Sequence, residues 1–164
     1  MEREPTSRDV EAAAARIAEH ARRTPVLTCR TLNEKTGADL HFKCENFQRC
    51  GAFKFRGACN TVFSLTDADA ARGVVTHSSG NHAAALAEAA RLRGVPAHIV
   101  MPSNAPAVKQ AAVRGYGGLI TLCEPTLAAR EETAARVQQE TGATLVHPYN
   151  DYRIIAGQAT AGLE

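Results

Sequence analysis

From Gly73 onward the chain keeps a beat that few architectures accommodate: a short apolar run, a helical stretch, a glycine, and then the same again. The spacing predicts strand Val74 to Thr76, helix Asn81 to Arg93 ending at Gly94, strand Ala97 to Met101, and helix Ala105 to Arg114 ending at Gly115. It continues with strand Leu119 to Cys123, helix Thr126 to Thr141 ending at Gly142, strand Thr144 to His147, and a helical segment from Arg153. Short apolar strands that alternate with helices mean βαβ units around a parallel sheet, an α/β fold. Such sheets bind ligands beyond the carboxyl ends of their strands, so the loops there are where function is sought.

The stretch before Gly73 is less regular. Thr6 to Arg23 carries Val10, Ala13, Ala14, Ile17 and Ala21 at helical spacing behind a Thr6-Ser7 start that can cap it. Strand candidates Thr24 to Cys29 and Ala38 to Cys44 follow, separated by a short helical piece that ends at Gly37, and Phe53 to Leu65 returns to helical spacing. The last segment, Ile154 to Glu164, stops inside an apolar helical pattern, which leads us to expect a truncated piece of a longer parent.

Charge excludes some partners. Nineteen basic residues against 17 acidic ones, scattered along 164 residues, give a net charge of +2 and no directed field, so neither nucleic acid nor an anionic membrane is expected to bind. The opening Met1-Glu2-Arg3-Glu4-Pro5 is charged, and no apolar run approaches the roughly 20 residues that span a bilayer. Five cysteines without a CxxC pair suit reduced thiols, so a cytoplasmic protein is expected.

Two elements carry chemistry. Thr76-His77-Ser78-Ser79-Gly80-Asn81-His82 follows a strand and opens an alanine-rich helix, where free backbone N–H groups attract a carboxylate or phosphate. The bland alternative is an ordinary helix cap, since Ser and Asn cap helices in any protein. In Cys50-Gly51-Ala52-Phe53-Lys54-Phe55-Arg56-Gly57-Ala58 a lone lysine lies between two aromatics at a helix start. A buried stem and the neighbouring Arg56 should lower the Lys54 pKa, and a neutral amine forms Schiff bases; the alternative is a surface lysine whose stem merely lies along the protein. His77 and His82 match no standard metal-ligand spacing.

The order of these elements resembles the serine racemase and serine/threonine dehydratase family of fold-type II pyridoxal-phosphate enzymes, whose architecture is tryptophan synthase β-like. Arg23 to Thr28, Phe42 to Gln48, Gly51 to Ala58, Ser78 to His82, Gly115-Tyr116-Gly117, His147-Pro148-Tyr149 and Ala156-Gly157-Gln158 all match its motifs in order. The resemblance implies that Lys54 holds pyridoxal 5'-phosphate as a Schiff base and is the base on one face of the substrate Cα, with Ser79 on the other. It implies that Phe53 flanks the pyridine ring, that Asn81 bonds the cofactor's phenolic oxygen, and that Ser78, Gly80 and His82 help to cradle the substrate carboxylate.

The implied activity is dehydration or racemisation of small hydroxy amino acids such as L-serine, L-threonine or 3-hydroxyaspartate. Ala52 and Phe55 stand where the family more often has Ser and Ile, which points toward the racemase and hydroxyaspartate dehydratase branch; Ala84 replaces a common Gln. The family's glycine-rich phosphate cup and the ligands of its magnesium, calcium or manganese ion are expected beyond Glu164. The implied organisation is residues 1–66 as the first part of a large domain, 67–147 as a small domain, and 148–164 as a return to the large one, with a homodimer for the full-length enzyme. The competing readings are a non-catalytic α/β anion-binding module, or a partner fragment of a full-length homologue.

Overall fold

The computed structural model describes residues 4–164; residues 1–3 of the charged opening lie outside the described residues. Four strands, β3 (Val74–His77), β4 (Ala97–Pro102), β5 (Leu119–Cys123) and β6 (Thr144–Leu145), form a parallel sheet in the order β5-β4-β3-β6. Strands β1 (Val26–Thr28) and β2 (His41–Lys43) pair antiparallel in a separate two-stranded ribbon. Helices α1 (Ser7–Ile17), α2 (Arg30–Thr36), α3 (Lys54–Ser64) and α4 (Asp67–Ala71) precede the sheet, and α5 (Asn81–Arg93), α6 (Ala107–Gly115) and α7 (Leu127–Thr141) connect its strands. Helix α8 (Tyr152–Ala159) follows it.

The glycine beat has a backbone cause. Gly94 and Gly142 take left-handed conformations (φ 75° and 69°) and their N–H groups return to carbonyls in the last turns of α5 and α7. A residue with a Cβ adopts that conformation at a cost, so glycine ends each helix and turns the chain toward the next strand.

Alternation along the strands divides the core. Val74, Ile99 and Met101 join Leu86 of α5, Val113 of α6 and Phe55 and Val62 of α3 in one fully buried cluster. Val75 and Val100 point the other way, toward Ala134 and Val137 of α7. Both faces of the sheet are therefore covered, as the apolar runs required.

Several element boundaries differ from the sequence expectation. The first helix stops at Ile17, not Arg23, because the buried Gln48 side chain accepts from the Arg22 N–H at 2.9 Å and donates to its carbonyl at 2.7 Å, holding Arg22 as a ladder partner would. Helix α6 starts after Pro106, whose ψ of 137° is extended. Helix α4 has no counterpart in the sequence expectation; its signal is Thr66, whose hydroxyl accepts from the Asp69 N–H at 3.1 Å.

Helices α3 and α8 cross where Gly57 meets Gly157. A Cβ at Gly157 would stand 2.7 Å from the Arg56 carbonyl oxygen, Asn60 Cβ and Gly57 Cα. This close approach lets α8 lie on α3 and sets the position of the segment between β6 and α8.

Candidate active site

Lys54 is the first residue of α3, and its side chain leaves the helix beside the exposed ring of Phe53. Nζ lies 5.2 Å from the centre of that ring and donates to the Pro148 carbonyl at 2.8 Å. Removal from water lowers the ammonium's pKa below the ordinary lysine value. The direction expected from sequence holds, but its cause is corrected. Arg56, two residues on in α3, points away from Lys54: it is 1% exposed and turned to Glu45 and Glu164, at 2.8 and 2.7 Å. Nor is Lys54 a surface lysine, since it is half-buried and bonded across the fold.

The serine-rich loop lies at the carboxyl end of β3, where an α/β sheet presents its ligands. The Ser78 N–H donates to the Val100 carbonyl at 3.1 Å, and Ser78 Oγ accepts from the Gly80 N–H at 3.3 Å. The helix-cap alternative is corrected here: Gly80 occupies the cap position of α5, and no side chain accepts from the first turn. The N–H groups of Asn81, His82 and Ala83 precede the first intrahelical bond, from Ala84 N to the Gly80 carbonyl at 3.4 Å. A Cβ built on Gly80 meets nothing within 4 Å, so the helix start opens onto free space. Ser78 and Ser79 are half-buried beside it and Asn81 is exposed.

His82 differs from its neighbours. Its ring is 3% exposed and turned inward, with Nε2 at 3.4 Å from the Val146 carbonyl oxygen and Nδ1 without a partner. Burial pulls its pKa down to about 4, with the positive charges of Lys54, His147 and His77 adding to the effect, so the ring is neutral at physiological pH. The lysine and the helix start thus meet on one stretch of chain, Val146 to Pro148. Sequence reasoning matched His147-Pro148-Tyr149 as a motif but gave it no role. Nothing local marks Pro148 as the lysine's acceptor, because that bond joins residues 94 positions apart.

His77 and His147 face each other edge to face at 6.1 Å, with Tyr149 stacked edge-on against His147 at 4.5 Å. Among the described residues no three His, Cys, Asp or Glu side chains gather as a metal site. Two clefts of about 370 and 570 Å³ lie away from Lys54, one around Asn60 and Arg153, the other around Arg49 and Tyr116. An amine with a lowered pKa, a free aromatic face and an uncapped helix start can together hold a flat, anionic carbonyl compound.

Residues 17–164 match the family model described as pyridoxal-phosphate dependent enzyme. The chain is 61% identical over 160 residues to the β-hydroxyaspartate dehydratase of Paracoccus denitrificans, covering 98% of this chain and 51% of the relative. It is 56% identical over 155 residues to the serine racemase of Arabidopsis thaliana, covering 94% and 47%. The solved structure of maize serine racemase superposes with a TM-score of 0.94 at 52% identity, over 95% of this chain and 47% of that one. The chain spans about half the length of the curated relatives it matches. With its motifs, parallel sheet and likeness to these relatives, the chain belongs to the pyridoxal-phosphate dependent enzymes and has their fold-type II architecture.

Proposed function

We propose that this chain is the amino-terminal half of an enzyme that dehydrates or racemises small hydroxy amino acids, with Lys54 carrying pyridoxal phosphate. The observation that carries the reading is the pairing of a desolvated lysine amine with an uncapped, anion-receiving helix start on either side of Val146 to Pro148. The residues fit the cofactor. Lys54 supplies the amine its aldehyde requires, the exposed Phe53 ring offers a face for the pyridine, and the space over Gly80 admits an anion to the N–H groups of α5.

Bound pyridoxal phosphate supplies an electron sink for the pair left when a Cα–H bond breaks. The chain's own groups do the rest. The half-buried Lys54 amine takes the Cα proton on one face, and Ser79 stands for the opposite face, where returning a proton inverts the centre. Loss of the β-hydroxyl as water leaves instead an enamine, which tautomerises to an imine and takes up a water to give a keto acid and ammonia. Ser78, Gly80 and the unbonded His82 N–H receive the substrate carboxylate, the Gly80 N–H turning to it from Ser78 Oγ, and Asn81 donates to the cofactor. The names of the two relatives support a hydroxyaspartate or serine substrate.

In the longer enzyme we place residues 67–147 as a small domain, an assignment supported by the parallel sheet lying wholly within Val74 to Leu145. We further propose a homodimer, and a divalent cation whose ligands lie outside this chain. No helix among the described residues is long and apolar enough to cross a membrane, and five free cysteines suit a reducing compartment, which supports a cytoplasmic location.

Borohydride reduction after incubation with pyridoxal phosphate, followed by peptide mass spectrometry, tests the assignment. The added mass is expected on Lys54 and is absent at that position in a folded Lys54→Ala variant. Label spread over exposed lysines with Lys54 unmodified would sink the reading.

A further inference from the structure

Lys54 and His82 are both attached to the chain that leaves β6. A carbonyl oxygen can only accept, so the contact between His82 Nε2 and the Val146 carbonyl requires the proton on Nε2. Nδ1 is then a bare acceptor, and it is buried without a partner. Two residues further on, the Pro148 carbonyl accepts from Lys54 Nζ at 2.8 Å. The same stretch is tied at its start by the Val146 N–H, which donates to the Val75 carbonyl at 2.8 Å. It is tied at its end by His147 Nδ1, which accepts from the N–H groups of Tyr149 and Asn150 at 3.3 and 2.8 Å. Pro148 has a fixed φ and no N–H of its own.

We propose that the His82 ring is a positioning residue for Lys54: by holding the Val146 carbonyl it fixes where the Pro148 carbonyl receives the lysine amine. This role belongs to the ring and is separate from the His82 N–H at the start of α5. It rests on the preceding reading for what the amine is used for. It also joins the two parts of the site, because one residue lies both on the anion-receiving helix and against the wall that holds the lysine. The titratable groups facing the ring are Lys54 from α3, His77 at the end of β3, and His147. Burial and these neighbours keep the ring uncharged, so the Nε2–H form persists through the neutral range.

Two measurements on the 164-residue chain test this. In the unaltered protein, nitrogen-15 correlation spectra of the histidine rings at pH 7 are expected to show His82 neutral with its proton on Nε2; the Nδ1–H form overturns the proposal. Reductive methylation by formaldehyde and cyanoborohydride across a pH series, read by peptide mass spectrometry, then compares Lys54 with the exposed Lys109. Lys54 is expected to have the lower midpoint in the unaltered chain. His82→Leu, by letting the wall shift and the desolvated amine reach water, should raise that midpoint toward Lys109, with about a tenfold loss of neutral amine for each unit of rise.

His82→Gln, whose amide can still donate to the Val146 carbonyl, should keep the original value. An unchanged midpoint in a folded His82→Leu protein overturns the proposal, and so does an equal rise in both variants. Should His82→Leu fail to fold, the tautomer of the unaltered chain still decides. The cofactor reading fails separately: a Lys54 that takes no pyridoxal phosphate while the midpoints move as stated sinks that reading and leaves this one.

Discussion

The four-stranded sheet and the two-stranded ribbon are built from similar residues and meet opposite fates. In the sheet, Val74, Val75, Ile99, Val100 and Met101 are fully buried between α5 and α6 on one side and α7 on the other. In the ribbon, Val26, Leu27 and Phe42 are 49%, 51% and 43% exposed. What separates them is cover, not composition. The sheet closes its own layers within Val74 to Leu145, whereas the ribbon is an apolar surface held to the body by polar bonds.

Those bonds centre on Arg56. It joins α3 to Glu45, in the turn that follows β2, and to Glu164, while Lys43 of β2 donates to Glu164 at 2.5 Å and to the Thr24 carbonyl at 2.7 Å. The sheet rests on the hydrophobic effect and the ribbon largely on charge.

Four substitutions or conditions would break or sharpen this contrast. The largest effect is expected from Ile99→Ala in β4, which should cost about 2 to 5 kcal/mol in urea unfolding, because fully buried atoms are lost and a cavity remains. Next is Gly157→Ala at the α3–α8 crossing. Its methyl would press on the Arg56 carbonyl oxygen at 2.7 Å, and about 1 to 3 kcal/mol should be lost in the same measurement.

Acid should separate the two regions without mutation. Partial burial pushes Glu164 and Glu45 upward, but bonds from Arg56, with Lys43 and Thr24, outweigh it and hold Glu164 down at about 2 and Glu45 below its usual value. Carboxylates depressed in the folded state stabilise it fully above their unfolded value near 4.5, and that contribution is lost as pH falls toward 2. Hydrogen exchange should therefore show β1 and β2 losing protection on acidification before β3 and β4 do. Simultaneous loss in both would show that Arg56 does not single out the ribbon. The smallest effect is expected from Leu27→Ser, within about 0.5 kcal/mol, since that residue is already 51% exposed. A cost like that of Ile99→Ala would mean that the ribbon is covered in solution.

The same contrast governs what could be read from the sequence. Periodicity located α5, β5 and α7 because their causes are local: apolar spacing, a left-handed glycine, and Thr126 capping α7. Motif matching, not periodicity, singled out Lys54 and the serine-rich loop, and the expected burial of the lysine's stem gave the direction of its pKa. Periodicity could not supply the Gln48 grip on Arg22, the inward turn of His82, or the Arg56 network. Those contacts join residues 26, 64 and 108 positions apart, and no window of sequence contains both ends. Arg56 misled for that reason: it shares α3 with Lys54 two residues away, while its partners Glu45 and Glu164 lie on other segments.

The atom that holds the Lys54 amine is a main-chain oxygen of Pro148. Every one of the twenty residues at position 148 would bring such an oxygen, so an alanine there removes no acceptor and can act on the lysine only by moving the chain. Sequence drift at that position is blind to it as well: only a change in the path of the chain can take the oxygen away.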